Sequence, residues 1–580
     1  MDTAKRVYLY SVSAISLLVL SIGLYNLVAV ALGELSDAFG ASVIGGGAGT
    51  GREQVSLAIA LVLVGLPVFA IHWSLVGRGW RGTDEAALED RRAPLRAFHL
   101  GLVATVALAV SAFAAVQVLN EILLNVLPVE RFGEVGRITD DMAMLVVASP
   151  IWWFHARRRN ADLRHDQLTG PAAWLTRLHR YAWAFIGLLI LVSGASGVIE
   201  TVASVVIGRD EFGTGDRWWL GSLAWSISTI VVGLGVFWIH ADDARRVIRD
   251  AAIIGEDDRA TALRATYFGA VILVALVDVA LTVTSSLAGL GRWGLGLSEA
   301  TGVPDFLELT VGPLLVAVPF AVAGWLHWAA LHREGDGRSP VARATAERLA
   351  LHLTAGVGLA LLAVGAGQLL GRILEVALGA AVGDEFLRNE VVWFTAQLLV
   401  GAALWYPAWA SILRRRGADP STERRATTGR AYLYLVVGSS LLAAVPSAAF
   451  TLYRLIDTML GGRGVALGSE LAIPIAVVVV ASIVAAYHGR ILVADLHFAG
   501  EAARTLETEG AGTAPAPALA AVSMSLTLRG PAGTDLDAVA DALRGHLPDG
   551  VILEDRTVDA ATPRLDAPRG PTLQGQPRPI

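Results

Sequence analysis

The 580-residue chain contains no cysteine. Disulfides, thiolate catalysis and cysteine-held zinc or iron–sulfur centres are therefore excluded. Lysine occurs once, at Lys5, so nearly all the basic charge is arginine. That skew, with abundant alanine and glycine, points to a GC-rich bacterial genome and carries no chemistry. Charged residues are also scarce, at 17%, against roughly 25% in soluble domains. The motifs of nucleotide binding, zinc proteolysis and nucleophile-elbow hydrolysis are missing. The glycine-rich stretch 45–51 has no following lysine and reads as a loop. The expectation is a protein that is not an enzyme, takes no cofactor or metal and binds no nucleic acid.

Apolar residues are in excess instead. They make up 54% of the chain, and they gather in long uninterrupted runs. These lie near 7–33, 55–76, 97–124, 142–156, 181–207, 220–241, 265–288, 308–331, 351–380, 391–412, 432–455 and 470–492. Most approach or exceed the roughly 20 residues a helix needs to cross about 30 Å of hydrocarbon. The fourth is short and is expected to start a few residues earlier. Continuous rather than alternating hydrophobicity excludes a β-barrel. The first run is longer than a signal-peptide core and reads as a membrane helix. The fold class is thus all-α integral membrane, with about twelve transmembrane helices and the lipid bilayer as partner.

Arginine and lysine fix the expected orientation. The N-terminus and the loops after even-numbered spans hold 28 of them, and the loops after odd-numbered spans hold 8. Positive residues stay inside, which predicts a plasma-membrane protein with both termini cytoplasmic.

Two markers recur along the chain. Odd spans open at Tyr10, His99, Tyr181, Tyr267, His352 and Tyr434, each three or four residues after an arginine (Arg6, Arg96, Arg177, Arg264, Arg348, Arg430). Even spans close at His72, His155, His240, His327, Pro407 and His488. Both markers keep a period of 80 to 89 residues, so six parallel two-helix repeats are expected. Their bounds are 1–90, 91–170, 171–258, 259–342, 343–424 and 425–505. The fifth copy lacks the histidine.

The sixth copy reads A-Y-L-Y-L-V at 431–436 and L-Y-R-L-I-D at 452–457, and the first opens V-Y-L-Y-S-V at 7–12. These segments resemble a prokaryotic membrane domain of unknown function, number fifty-six seventy-one. The resemblance is strongest in the first, fifth and sixth copies. It implies a short helical membrane module with an aromatic-rich opening, and it brings no activity with it.

Beyond the last span, 506–519 reads as an Ala/Pro/Gly linker. Residues 520–560 alternate and then turn helical, as a small β-α-β segment, and 561–580 reads as a disordered tail. This α+β tail is expected to bind a cytoplasmic protein partner or to self-associate.

Two sets of polar residues are candidates for function. His72, His155, His240, His327 and His488, with Tyr10, His99, Tyr181, Tyr267, His352 and Tyr434, belong at the cytoplasmic interface. They form either a titratable ring that binds an anion, headgroup or metal, or an aromatic belt copied by duplication. The second set lies inside the spans, where a charge needs a partner or a cavity. Asp278 is the deepest, with Glu200, and with Glu121 one turn after Gln117. Arg372 with Glu375, and Arg454 with Asp457, are i, i+3 pairs suited to tying helix ends. Glycines in G-A-S-G (194–197) and G-A-G (365–367) suit close helix approach. Among the prolines Pro67, Pro313, Pro319, Pro446 and Pro474, only Pro446 is placed to kink a span. Three functional classes remain: a non-catalytic scaffold or sensor, a transporter or channel using the intramembrane carboxylates, and, behind these two, a membrane enzyme or redox protein.

Overall fold

The computed structural model describes residues 3–38, 50–80, 85–127, 138–165, 170–207, 218–250, 261–297, 303–336, 340–380, 383–460 and 467–511. The expected β-α-β segment, the disordered tail and most of the glycine-rich loop lie outside them. The chain divides into two units, Met1–Ala503 and Arg504–Ile580. Within the second, the described residues are helical.

Among the described residues every regular element is a helix. They are α1 (Thr3–Ala38), α2 (Thr50–Trp80), α3 (Glu85–Arg92), α4 (Pro94–Val126), α5 (Ile138–His165), α6 (Gly170–Ile207) and α7 (Trp218–Asp250). Then follow α8 (Ala262–Gly294), α9 (Val303–Thr310), α10 (Gly312–Asp336), α11 (Pro340–Ala377) and α12 (Asp384–Ala418). The last three are α13 (Pro420–Glu423), α14 (Thr427–Met459) and α15 (Leu467–Ala511). α15 runs into the first residues of the expected linker, which are helical as far as Ala511.

The long helices exceed the hydrocarbon thickness. At 1.5 Å per residue, the 33 residues of α4 span about 50 Å, so the ends carrying the polar residues project beyond the apolar core. Large apolar side chains such as Leu63, Trp325, Leu435 and Leu442 face outward. Alanines 58, 104, 114, 224 and 355 are fully buried between helices. Small residues inside and large ones outside is the pattern of a bundle solvated by lipid.

Among the described residues eleven helices are long and apolar enough to cross a membrane, which makes this a multi-pass membrane protein. The fourth expected span, α5, does not qualify. Its apolar stretch is flanked by Asp140 and Asp141 on one side and by Arg157, Arg158 and Arg159 on the other. It still packs against α4 and α1.

Helices pair as α1 with α2, α4 with α5, α6 with α7, α8 with α10 and α11 with α12, and each hairpin contacts the next along the chain. The glycine expectation is met at Gly194 and Gly365. A Cβ on Gly194 would stand 2.8 Å from the Ile230 nitrogen, and one on Gly365 2.8 Å from that of Leu398. Gly367 faces open space. The proline expectation is corrected. Pro446 lies inside an uninterrupted α14, whereas the eighth span breaks at Val311, between α9 and α10. Pro313, two residues on, has no N–H for the Leu309 carbonyl and its ring crowds that oxygen.

Candidate functional site

The five span-closing histidines share one geometry. Nδ1 of each lies against the carbonyl one turn back, His72 on Val68 at 2.7 Å, His155 on Ile151 at 2.8 Å and His240 on Val236 at 2.9 Å. His327 reaches Ala323 at 2.8 Å and His488 reaches Val484 at 3.0 Å. A carbonyl oxygen only accepts, so Nδ1 carries the proton and Nε2 faces the neighbouring helix. What Nε2 meets differs between hairpins. His72 meets the Tyr8 hydroxyl at 3.2 Å and His327 meets that of Tyr267 at 2.8 Å. In His155 and His488 it is buried without a hydrogen-bond partner.

The histidines and tyrosines form a band across one end of the bundle, the end where the arginines lie. His99 packs on His155 with ring centroids 6.1 Å apart, and His179 on His240 at 5.8 Å. Between hairpins, Tyr10 packs on His99 at 4.9 Å, Tyr181 on Tyr267 at 5.6 Å and His352 on Tyr432 at 5.4 Å. In the fifth hairpin, which has Pro407 in place of histidine, Trp409 fills the position. It packs on Tyr432 and His488 and donates to the Tyr487 hydroxyl at 2.8 Å.

In three hairpins the residue facing the span-closing histidine stands two places before the one marked in the sequence. It is Tyr8 rather than Tyr10, His179 rather than Tyr181, and Tyr432 rather than Tyr434. Tyr434 points outward, 54% exposed. A two-residue step turns a helical side chain by about 200°, so alignment on the last aromatic selected the wrong face.

Several basic-end arginines find partners that the sequence reading did not name. Arg6 binds Asp90 at 2.9 Å, Arg96 binds Asp162 at 2.7 Å and Arg348 binds Glu423 at 2.9 Å. In the third hairpin Arg180, three residues after Arg177, binds Asp243 at 2.8 Å. Arg416 binds Asp495, and Arg264 donates to the Tyr181 hydroxyl at 3.1 Å. A signal existed: Asp162 and Asp495 both follow their histidines by seven residues, two turns along one helix face.

At the opposite end, both i, i+3 pairs gain a second carboxylate from the following helix. Arg372 lies 2.5 Å from Glu375 and 2.7 Å from Glu390. Arg454 lies 3.5 Å from Asp457 and also binds Glu470.

The remaining span residues are not brought together. Asp278, half-buried on α8, has one carboxylate oxygen without a partner, while Thr282 donates to its backbone carbonyl at 2.9 Å. Glu200 is exposed and lines a cavity of about 560 Å³ between α6 and α7, with Ser193, Thr201, Ser226 and Thr229. The Glu121 carbonyl accepts from Asn125 at 2.7 Å, and Oε1 of Gln117 is buried without a partner. Among the described residues no group of three His, Asp or Glu side chains could hold a metal ion.

The family comparison falls on this same framework. A model of the domain of unknown function DUF5671 matches residues 6–142, 177–322 and 348–483, more than two thirds of the chain. The chain belongs to the DUF5671 family. The three matches begin at Arg6, Arg177 and Arg348, the arginines before the first, third and fifth odd spans. The first match ends five residues into α5, and the other two end within α10 and α15. The middle match covers the third and fourth hairpins, where the sequence resemblance was weakest. No curated protein matches the chain, and no solved structure does.

Proposed function

We propose that this DUF5671 chain is a non-catalytic membrane scaffold or sensor, with both termini and the basic end in the cytoplasm. The observation that supports it is the use of buried charge. Arg96–Asp162, Arg180–Asp243 and Arg416–Asp495 join one helix to another at the basic end. Arg372 and Arg454 do the same at the other end. Charges used this way hold helices in register and do not line a path. Asp278, Glu200 and Glu121 sit on three different hairpins, with no hydrogen bond or ion pair joining them. The periodic histidines and tyrosines then act as an interfacial belt, copied six times as two-helix units.

In this reading the tail beyond residue 508 is the output and binds a cytoplasmic protein or a second tail. The test compares the full chain with one ending at residue 508, both in mild detergent, as baits in the same cell extract. A protein captured by the full chain and lost on truncation supports the proposal. Identical captures, with identical oligomeric mass, would overturn the role of the tail.

Transport is the second reading, and the unpartnered carboxylate oxygen of Asp278 favours it. A carboxylate at that depth is costly unless it has a task or is protonated.

A further inference from the structure

Arg159 does not fit the pattern of the other basic-end arginines. It stands one turn after His155, and the same position in the other histidine-bearing hairpins holds Val76, Ala244, Leu331 and Leu492. The fold therefore fills this site with apolar residues elsewhere. Arg159 is nevertheless 4% exposed. Its Nε and Nη1 have no hydrogen-bond partner, and Nη2 makes a single long contact of 3.4 Å with the amide oxygen of the adjacent Asn160. A guanidinium taken out of water without a carboxylate is costly, typically several kcal/mol, so its donors require an acceptor.

The surroundings specify which kind. Among the described residues Arg180 and Asp243 lie near enough to act on Arg159, and Asp243 already accepts from Arg180 at 2.8 Å. Among these described groups one positive charge is left over. His179 and His240 stand beside the same group, their ring centroids 5.8 Å apart. Nδ1 of His179 is engaged by the Thr105 hydroxyl at 2.9 Å, and its Nε2 is buried with no partner. The free guanidinium donors of Arg159 on α5 thus sit in surplus positive charge, beside His179 of α6, with no acceptor among the described residues.

We propose that Arg159, with His179, forms a binding site for a phosphate-class oxyanion between α5, α6 and α7 at the basic end. Guanidinium donors match tetrahedral oxyanions better than spherical ones. Two sources share this chemistry: the headgroup of an anionic phospholipid, and free inorganic phosphate. The site does not depend on the scaffold reading, since a transporter could hold the same anion.

The test uses the full chain, purified in mild detergent and stripped of lipid, beside the Arg159→Leu variant. Leucine is what Leu331 and Leu492 already place here, so the variant is expected to fold and, without ligand, to be at least as stable as the parent. Thermal unfolding is followed with added phosphatidylglycerol, phosphatidylcholine or inorganic phosphate, and retained lipid is counted by native mass spectrometry. The expected result is stabilisation of the parent by phosphatidylglycerol or by phosphate, with at least tenfold weaker binding in Arg159→Leu. Phosphatidylglycerol acting alone identifies a headgroup site, and phosphate acting alone identifies a free anion. No stabilisation of the parent by either, equal stabilisation of both proteins, or a variant that unfolds below the parent before any ligand is added, would overturn the proposal.

Discussion

The Tyr267 hydroxyl lies 2.8 Å from Nε2 of His327, tying the start of α8 to the far part of α10. His327 gives its Nδ1 proton to the Ala323 carbonyl, so Nε2 accepts from the tyrosine. Removing that hydroxyl strands a half-buried acceptor. Tyr267→Phe is expected to cost about 1 to 2 kcal/mol and to lower the thermal unfolding midpoint in detergent. Tyr434→Phe, on an outward-facing ring, is expected to leave the midpoint unchanged. Equal shifts in the two variants would contradict this assignment of faces.

The pair Arg96–Asp162 is among the most enclosed in the bundle, with side-chain exposures of 1% and 10%. Removing one partner leaves the other buried and uncompensated, at roughly 3 to 5 kcal/mol. Arg96→Leu and Asp162→Leu are each expected to reduce yield and thermal stability sharply. The double variant is expected to recover most of the loss, because no lone charge remains. A double variant no better than the worse single one would show that the pair does more than neutralise itself.

Much of this architecture was legible in the sequence because a bilayer demands long apolar runs. Their lengths, the arginine asymmetry and the recurring histidines come from that demand. The i, i+3 pairs Arg372–Glu375 and Arg454–Asp457 were legible for the same reason, since helical spacing alone brings them together. Glu390 and Glu470, which complete them, come from another helix and depend on how two helices settle side by side. Tyr8, His179 and Tyr432 were missed because an aromatic at either of two nearby positions satisfies a periodicity, while only packing selects the face. Arg159 looked like one more arginine of the R-R-R run at 157–159, and only its burial separates it from Arg157.

Gly194 packs against α7 in the G-A-S-G segment of α6. A Cβ there would meet backbone atoms of Ile230 and Ser226, both at 2.8 Å, and backbone cannot move aside as a flexible side chain can. Gly194→Ala is expected to destabilise by about 1 to 3 kcal/mol, the usual range for overpacking. Gly367→Ala, next to open space, is expected to be neutral or slightly stabilising through helix propensity. Thermal unfolding of the two alanine variants decides whether the groove depends on glycine.

The absence of cysteine makes orientation directly measurable. Glu85 on α3 is exposed at the basic end, and Glu385 is exposed at the start of α12, at the opposite end. Glu385→Cys is expected to react with a membrane-impermeant maleimide on intact cells. Glu85→Cys is expected to react only after permeabilisation. The reverse pattern would invert the proposed topology and place the histidine band and Arg159 outside.

Asp278 separates the two functional readings. On the scaffold reading its carboxyl is a packed polar group near the middle of α8, and the protein moves nothing past it. Vesicles containing the parent protein and a pH-sensitive dye are then expected to leak protons no faster than protein-free vesicles. Asp278→Asn, which keeps the shape and removes the ionisable group, is expected to fold normally and leave that rate unchanged. A proton flux in the parent that the asparagine variant abolishes, with folding intact, would sink the scaffold reading. It would make this carboxylate the first residue of a transport path, because a group able to gain and lose a proton at that depth can pass charge where its neighbours cannot.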